Sequence, residues 1–214
     1  MANTNLAFGL QPIQKLGSNV NNVGVSGYTL YEIKSDNSNR IYQGSPVIPL
    51  STGFIDIVGA AAGGTVGLLG VFGGCEFVSS TTGKPVFSNQ WTGSGADSNF
   101  PIKAYVYDDP MQLYKIAADA SVTSEATLRG NVFANANFAA GTSGSSTTGI
   151  SSAKLGVSTI ATTAALHLRI MGWQDDENNS DFASAGIPVI VRLNNHFNSP
   201  NGAIVAGTPS TTGV

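Results

Sequence analysis

The stretch Ile102-Lys103-Ala104-Tyr105-Val106-Tyr107-Asp108-Asp109-Pro110-Met111-Gln112-Leu113-Tyr114-Lys115-Ile116 decides the reading of the fold. Its first six residues alternate between apolar and amphipathic side chains and are rich in β-branched and aromatic residues, the signature of a half-buried strand. Asp108-Asp109-Pro110 then breaks the pattern with turn formers, and a second β-rich run follows. The three pieces together predict a hairpin.

The same texture recurs on both sides. Tyr28-Thr29-Leu30-Tyr31-Glu32-Ile33 and Phe54-Ile55-Asp56-Ile57-Val58 read as strands, and Ile187-Pro188-Val189-Ile190-Val191-Arg192-Leu193-Asn194 as the last strong one. Leu166-His167-Leu168-Arg169-Ile170 alternates strictly. Pro46 and Pro49 flank a piece that reads as an edge strand, where a missing N–H is tolerated, or as a kinked one. Residues 66–72 and 76–78 are two further β candidates. A helix is credible only within residues 124–138, where Glu125, Ala126, Leu128 and Arg129 favour it and Gly130 and three Asn oppose it. Many short strands separated by turns predict a mainly β protein, an antiparallel sandwich or barrel of jelly-roll-like type.

Three segments follow: an extended N-terminal arm over 1–27, a β-rich domain over 28–197 and a flexible C-terminal tail over 198–214. In the arm, Leu6, Phe8, Leu10 and Ile13 are apolar points in a polar, Asn-rich background. They are the candidate partner-binding residues. The Gly/Ser/Thr-rich stretch 139–152 is expected to be mobile.

Composition narrows the function. Charged residues make up only 11% of the 214, and the net charge is −3. A surface of hydroxyls, amides and 26 glycines suits subunits that pack closely, because an amide or hydroxyl is cheaper to desolvate than an unpaired ion. The ten Lys and Arg are dispersed, so the concentrated positive charge needed for nucleic acid is missing. The uncharged stretch 57–75 contains too much glycine for a membrane span and reads instead as two buried strands joined by a Gly-Gly turn.

Chemistry is sparse. The single cysteine, Cys75, sits among apolar neighbours and reads as core. His167 and His196 have no nucleophile elbow or metal-ligand spacing beside them, and Asp108-Asp109 and Asp175-Asp176-Glu177 lack the spacing of a calcium loop. No catalytic residue, cofactor or metal is expected. Trp91 and Trp173 are the aromatic residues on which a carbohydrate site would depend.

Six segments in order resemble a known group. Met1-Ala2-Asn3 with Ala7-Phe8-Gly9-Leu10-Gln11-Pro12 is similar to the opening of these proteins, and Gln43-Gly44-Ser45-Pro46-Val47 to their G-D/S-P-V strand entry. Leu69-Gly70-Val71-Phe72-Gly73-Gly74-Cys75-Glu76-Phe77 resembles G-V-x-x-G-x-E/F, and Ala104-Tyr105-Val106-Tyr107-Asp108-Asp109-Pro110 resembles V-x-D-D-P. Leu166-His167-Leu168-Arg169-Ile170-Met171-Gly172 resembles L-x-I-x-G, and Val191-Arg192-Leu193-Asn194-Asn195-His196 a closing V-x-x-N-x-H. The group is the capsid decoration (cement) proteins of podovirus-like tailed bacteriophages, structural virion proteins. The resemblance implies a non-enzymatic β-rich subunit on the outer face of an icosahedral shell, a dimer or trimer that clamps neighbouring major capsid proteins. Residues 139–152 and the tail match no part of the pattern. Another virion component (a tail, fibre or shell part) and an extracellular carbohydrate-binding or hydrolytic β-sandwich are the alternatives.

Overall fold

The computed structural model describes residues 3–4, 6–16, 27–59 and 67–199. The strands are β1 (Gln11–Lys15), β2 (Thr29–Ile33), β3 (Ile41–Tyr42), β4 (Pro46–Pro49), β5 (Ile55–Ile57), β6 (Gly70–Val78), β7 (Pro85–Ser88), β8 (Gln90–Trp91), β9 (Ile102–Tyr107), β10 (Gln112–Ala117), β11 (Asn135–Ala136), β12 (Phe138–Ala139), β13 (Lys154–Leu155), β14 (Leu168–Trp173) and β15 (Pro188–Leu193). Among the described residues one α-helix, α1 (Glu125–Gly130), interrupts them.

The protein is mainly β, and its named strand pairs are antiparallel, in a sandwich-like arrangement. The larger sheets are a five-stranded one, in the order β1-β10-β15-β14-β11, and a six-stranded one, in the order β2-β9-β6-β4-β5 with β7 on β6. The alternation in β14 and β15 buries Leu168, Ile170, Val189, Val191 and Leu193. These meet Ile48 and Val71 of the other sheet in one core cluster. The opposite face of the six-stranded sheet buries Ile33, Phe72, Ala104 and Val106, and the β3–β8 pair closes over it with Ile41 and Trp91.

The expected hairpin at Asp108-Asp109-Pro110 is not formed. β9 pairs with β2 and β6, whereas β10 pairs with β1 and β15. The turn carries the chain from one sheet to the other. Its residues hydrogen-bond outward to both sheets, and the two flanking strands do not pair. Tyr114 joins the layers by donating from its hydroxyl to Tyr107 O at 3.1 Å.

Residues 66–72 and 76–78, expected as two candidates, are largely one strand, the nine-residue β6. Its register shifts between Phe72 and Gly74, so Gly73 and Gly74 form a bulge within a single strand. A Cβ on Gly73 would stand 2.6 Å from Tyr28 Cε1, so glycine lets the Tyr28 ring lie on the strand. Residues 60–66 of the uncharged stretch lie outside the described residues.

The helix within 124–138 is six residues long. Ser124 caps it by accepting from Thr127 N–H at 3.2 Å, and Asn131 ends it. The stretch 139–152, expected to be mobile, is held by bonds to its surroundings. Gln43 N–H donates to Gly149 O and Ser151 N–H to Gln43 O, each at 2.9 Å, and Asn89 Nδ2 donates to Thr148 O at 2.8 Å. Glycine permits this packing, because a Cβ on Gly144 would stand 2.3 Å from the Tyr42 ring.

Candidate functional site

The four residues singled out in the N-terminal arm lie in different environments. Leu10 is 1% exposed and belongs to the core between the sheets. Its N–H donates to Gly44 O at 2.9 Å. Ile13 lies within β1, which is hydrogen-bonded along β10. Phe8 is half-buried, and Lys115 Nζ sits 5.5 Å from its ring centroid. Leu6 is 69% exposed. The arm boundary expected at residue 27 therefore moves. Residues 10–15 are part of the β domain, and of the four only Leu6 is freely presented. Pairing with β10 supplies the backbone bonds that a free arm would have had to take from a partner. The tail is outside the described residues from 200 onward, and its first two residues, Asn198 and Ser199, bond back to His196.

The residues considered for chemistry are largely engaged. Cys75 is buried, and burial pushes its thiol up to about 12. His167 Nδ1 lies 2.7 Å from Asn137 Oδ1, and burial holds its ring below the usual histidine range. Asp108 accepts from Thr29 Oγ1 at 2.8 Å and Tyr31 Oη at 2.7 Å. Asp109 pairs with Lys15 Nζ at 2.6 Å. Asp176 caps a turn of 3-10 helix, Glu177–Asn179. Among the described residues, no group of three or more His, Cys, Asp or Glu is placed to hold a metal ion.

Trp91 is fully buried beside Phe77 and cannot stack on a sugar. Trp173 does reach a surface cleft of about 570 Å³, together with Glu125, Arg129, Phe133, Met171 and Asp175. Arg129, ion-paired to Glu125, lies 5.0 Å from the Trp173 ring centroid and occupies that face. Phe133 stands at the rim, 72% exposed, on a backbone with φ of 74°. Such a conformation is strained for an aromatic residue.

The six-stranded sheet also presents apolar side chains to solvent. Register places Leu30 opposite Tyr105, and Tyr105 opposite Gly74. The next row runs Glu32, Lys103, Glu76, Phe87 across β2, β9, β6 and β7. Leu30 is 57% exposed and Phe87 72%. Tyr28 extends the patch, with its ring 4.5 Å from Tyr107 and 5.7 Å from Tyr105. Lys103 between two acids gives the face alternating charge at its centre and apolar groups around it. Single-residue propensity could not find this patch. It requires knowing that β2, β9, β6 and β7 are neighbours. The composition also held no signal for it, because each residue is ordinary in its own strand.

No protein-family model, no curated protein and no solved structure matches the chain.

Proposed function

We propose that this chain is a capsid decoration protein, which binds the outer surface of an icosahedral phage shell and stabilises it by bridging neighbouring major capsid proteins. The observation that carries the reading is the end of the six-stranded sheet's Val71 face that the five-stranded sheet leaves uncovered, where Tyr28, Leu30 and Phe87 are exposed around Glu32, Lys103 and Glu76. Exposed apolar groups with polar residues among them mark surfaces that pack against other proteins. The ordered segment resemblance and the 11% charge support the same reading. The protein would act without catalysis, as a dimer or trimer. It would bind the assembled lattice in preference to free subunits and stabilise it by mass action, with several weak contacts adding up to firm attachment.

Cryo-electron microscopy of capsids mixed with the recombinant protein tests this. Regular density bridging capsomers, lost with Leu30→Asp or Phe87→Asp in a protein that still folds, is the expected result. Density confined to a tail vertex would assign the chain to the tail, and no association would overturn the reading.

The cleft at Trp173 favours one other reading, a carbohydrate-binding sandwich. Glycan-array binding lost on Trp173→Ala would support it, and silence across the array would remove it.

A further inference from the structure

The outer face of the five-stranded sheet has an unusual charge arrangement. Register aligns Gln14, Leu113, Arg192, Arg169 and Asn135 in one row across all five strands. Arg169 and Arg192 are direct cross-strand partners, so their Cβ atoms are roughly 5 Å apart. The neighbouring row is Gln11, Lys115, Ile190 and Gly172. Neither row contains a carboxylate. Like charges placed directly opposite repel and weaken the pairing, whereas opposite charges stabilise it.

Among the described residues no acid offsets the pair. The ion pairs among the described residues are Lys15–Asp109, Lys34–Asp36 and Arg129–Glu125. Arg169 is oriented by a neutral group, its Nε donating to Asn135 Oδ1 at 3.1 Å. Arg192 Nη1 reaches only a weak acceptor, Met111 Sδ, at 3.9 Å. Arg192 Nε is buried with no hydrogen-bond partner. Burial and the neighbouring Arg169 charge both hold the Arg192 guanidinium below its ordinary value. A buried guanidinium N–H without an acceptor is costly, and an oxyanion supplies what it lacks. Asp176 lies near enough to sense Lys115, further along the face.

We infer that Arg169 and Arg192 form an oxyanion site, in which two guanidinium forks on adjacent strands share one carboxylate or phosphate group. Asn135 fixes one fork and the sheet register fixes the spacing, so the site is preorganised. A protein side-chain carboxylate and a free inorganic anion present the same chemistry to it. The inference stands apart from the decoration reading, because it concerns the opposite sheet and needs no shell.

Thermal unfolding and calorimetry of the full chain test it, with inorganic phosphate as the first probe and a tetraglutamate peptide as the second. Phosphate at tenfold its Kd should raise Tm by about 3–6 °C over sodium chloride of equal ionic strength. Arg192→Gln and Arg169→Gln should each weaken binding at least tenfold, Arg169→Lys should weaken it less, and the remote surface change Lys84→Gln should leave it intact. Peptide that displaces phosphate and binds more tightly identifies a partner's carboxylate as the source. Phosphate binding that the peptide does not displace identifies a free anion. Absence of both, or binding by the glutamine variants as tight as that of the unsubstituted protein, overturns the site.

Discussion

Asp108 and Asp109 are adjacent in the chain, yet each is tied to a different sheet. Asp108 accepts from Thr29 Oγ1 and Tyr31 Oη on β2, in the six-stranded sheet. Asp109 takes Lys15 Nζ from β1, in the five-stranded sheet, and its Oδ1 also accepts from Met111 N–H at 2.8 Å. The turn that leaves β9 is thus a joint between the two layers. Burial first, then Asp108, pushes the Tyr31 hydroxyl up to about 12, as expected for a phenol that donates to a carboxylate. A double-mutant cycle with Asp108→Asn and Tyr31→Phe should give a coupling of about 1 kcal/mol in urea unfolding. Simple additivity would show that the pair does not hold the joint.

Gly9 and Gly44 bring the N-terminal segment against the body. Both have positive φ, 67° and 83°. A Cβ on Gly9 would stand 2.8 Å from Gly44 O, and one on Gly44 would stand 3.1 Å from Leu10 N. Gly44→Ala should therefore cost about 1–3 kcal/mol through strain alone. Leu10→Ala should cost about 2–5 kcal/mol, as a core truncation does. Chemical denaturation measures both. Costs near zero would mean that the segment is a detachable arm after all. The large values expected also mean that deleting residues 2–16 would damage the fold itself, so docking is better probed at Leu30 and Phe87.

Much of the strand content was legible because its signal is local. The alternation over residues 102–107 maps onto β9 without change, and Thr29–Ile33, Ile55–Ile57 and Pro188–Leu193 fall within the runs that announced them. Pairing was not legible. Asp108-Asp109-Pro110 has the residues of a hairpin turn, and only the partners of Asp108 and Asp109 on β2 and β1 show that it crosses between sheets. Residues 11–15 lack β-branched density except at Ile13, so β1 escaped notice, being formed by its pairing with β10 and not by propensity. The paired arginines share this origin. Arg169 and Arg192 are unremarkable outward positions until the register of β14 and β15 sets them side by side.

Cys75 should be chemically silent in the folded protein. It is 1% exposed, its thiol donates to Gln90 O at 3.4 Å, and burial has moved its ionisation to about 12. The reactive thiolate is therefore scarce at neutral pH and inaccessible as well. Ellman's reagent should titrate no thiol in native protein and one per chain in denaturant. Rapid native labelling would restore a reactive role for this residue.

His196 should make the fold sensitive to mild acid. It is 0% exposed, its Nδ1 accepts from Asn198 N–H at 3.1 Å, and its buried Nε2 has no partner. Protonation would place a second N–H at Nδ1, facing the Asn198 N–H that now donates to it. Burial lowers the ring's ionisation from 6.5 to about 4, with the charges of Asp108 and Asp109 opposing that shift and Arg192 reinforcing it. The unfolded chain therefore takes up a proton near 6.5, whereas the folded one holds off until about 4. Between those values the unfolded state binds more protons, so stability is full above the upper value and falls as pH drops toward the lower one. At pH 5 the loss from this group is about 2 kcal/mol relative to pH 7.5. Urea unfolding at the two pH values measures it, with His196→Gln as the comparison. Whatever the variant's own stability, its loss between the two pH values should be smaller by that amount. Equal losses in the two proteins would show that His196 does not carry the acid sensitivity.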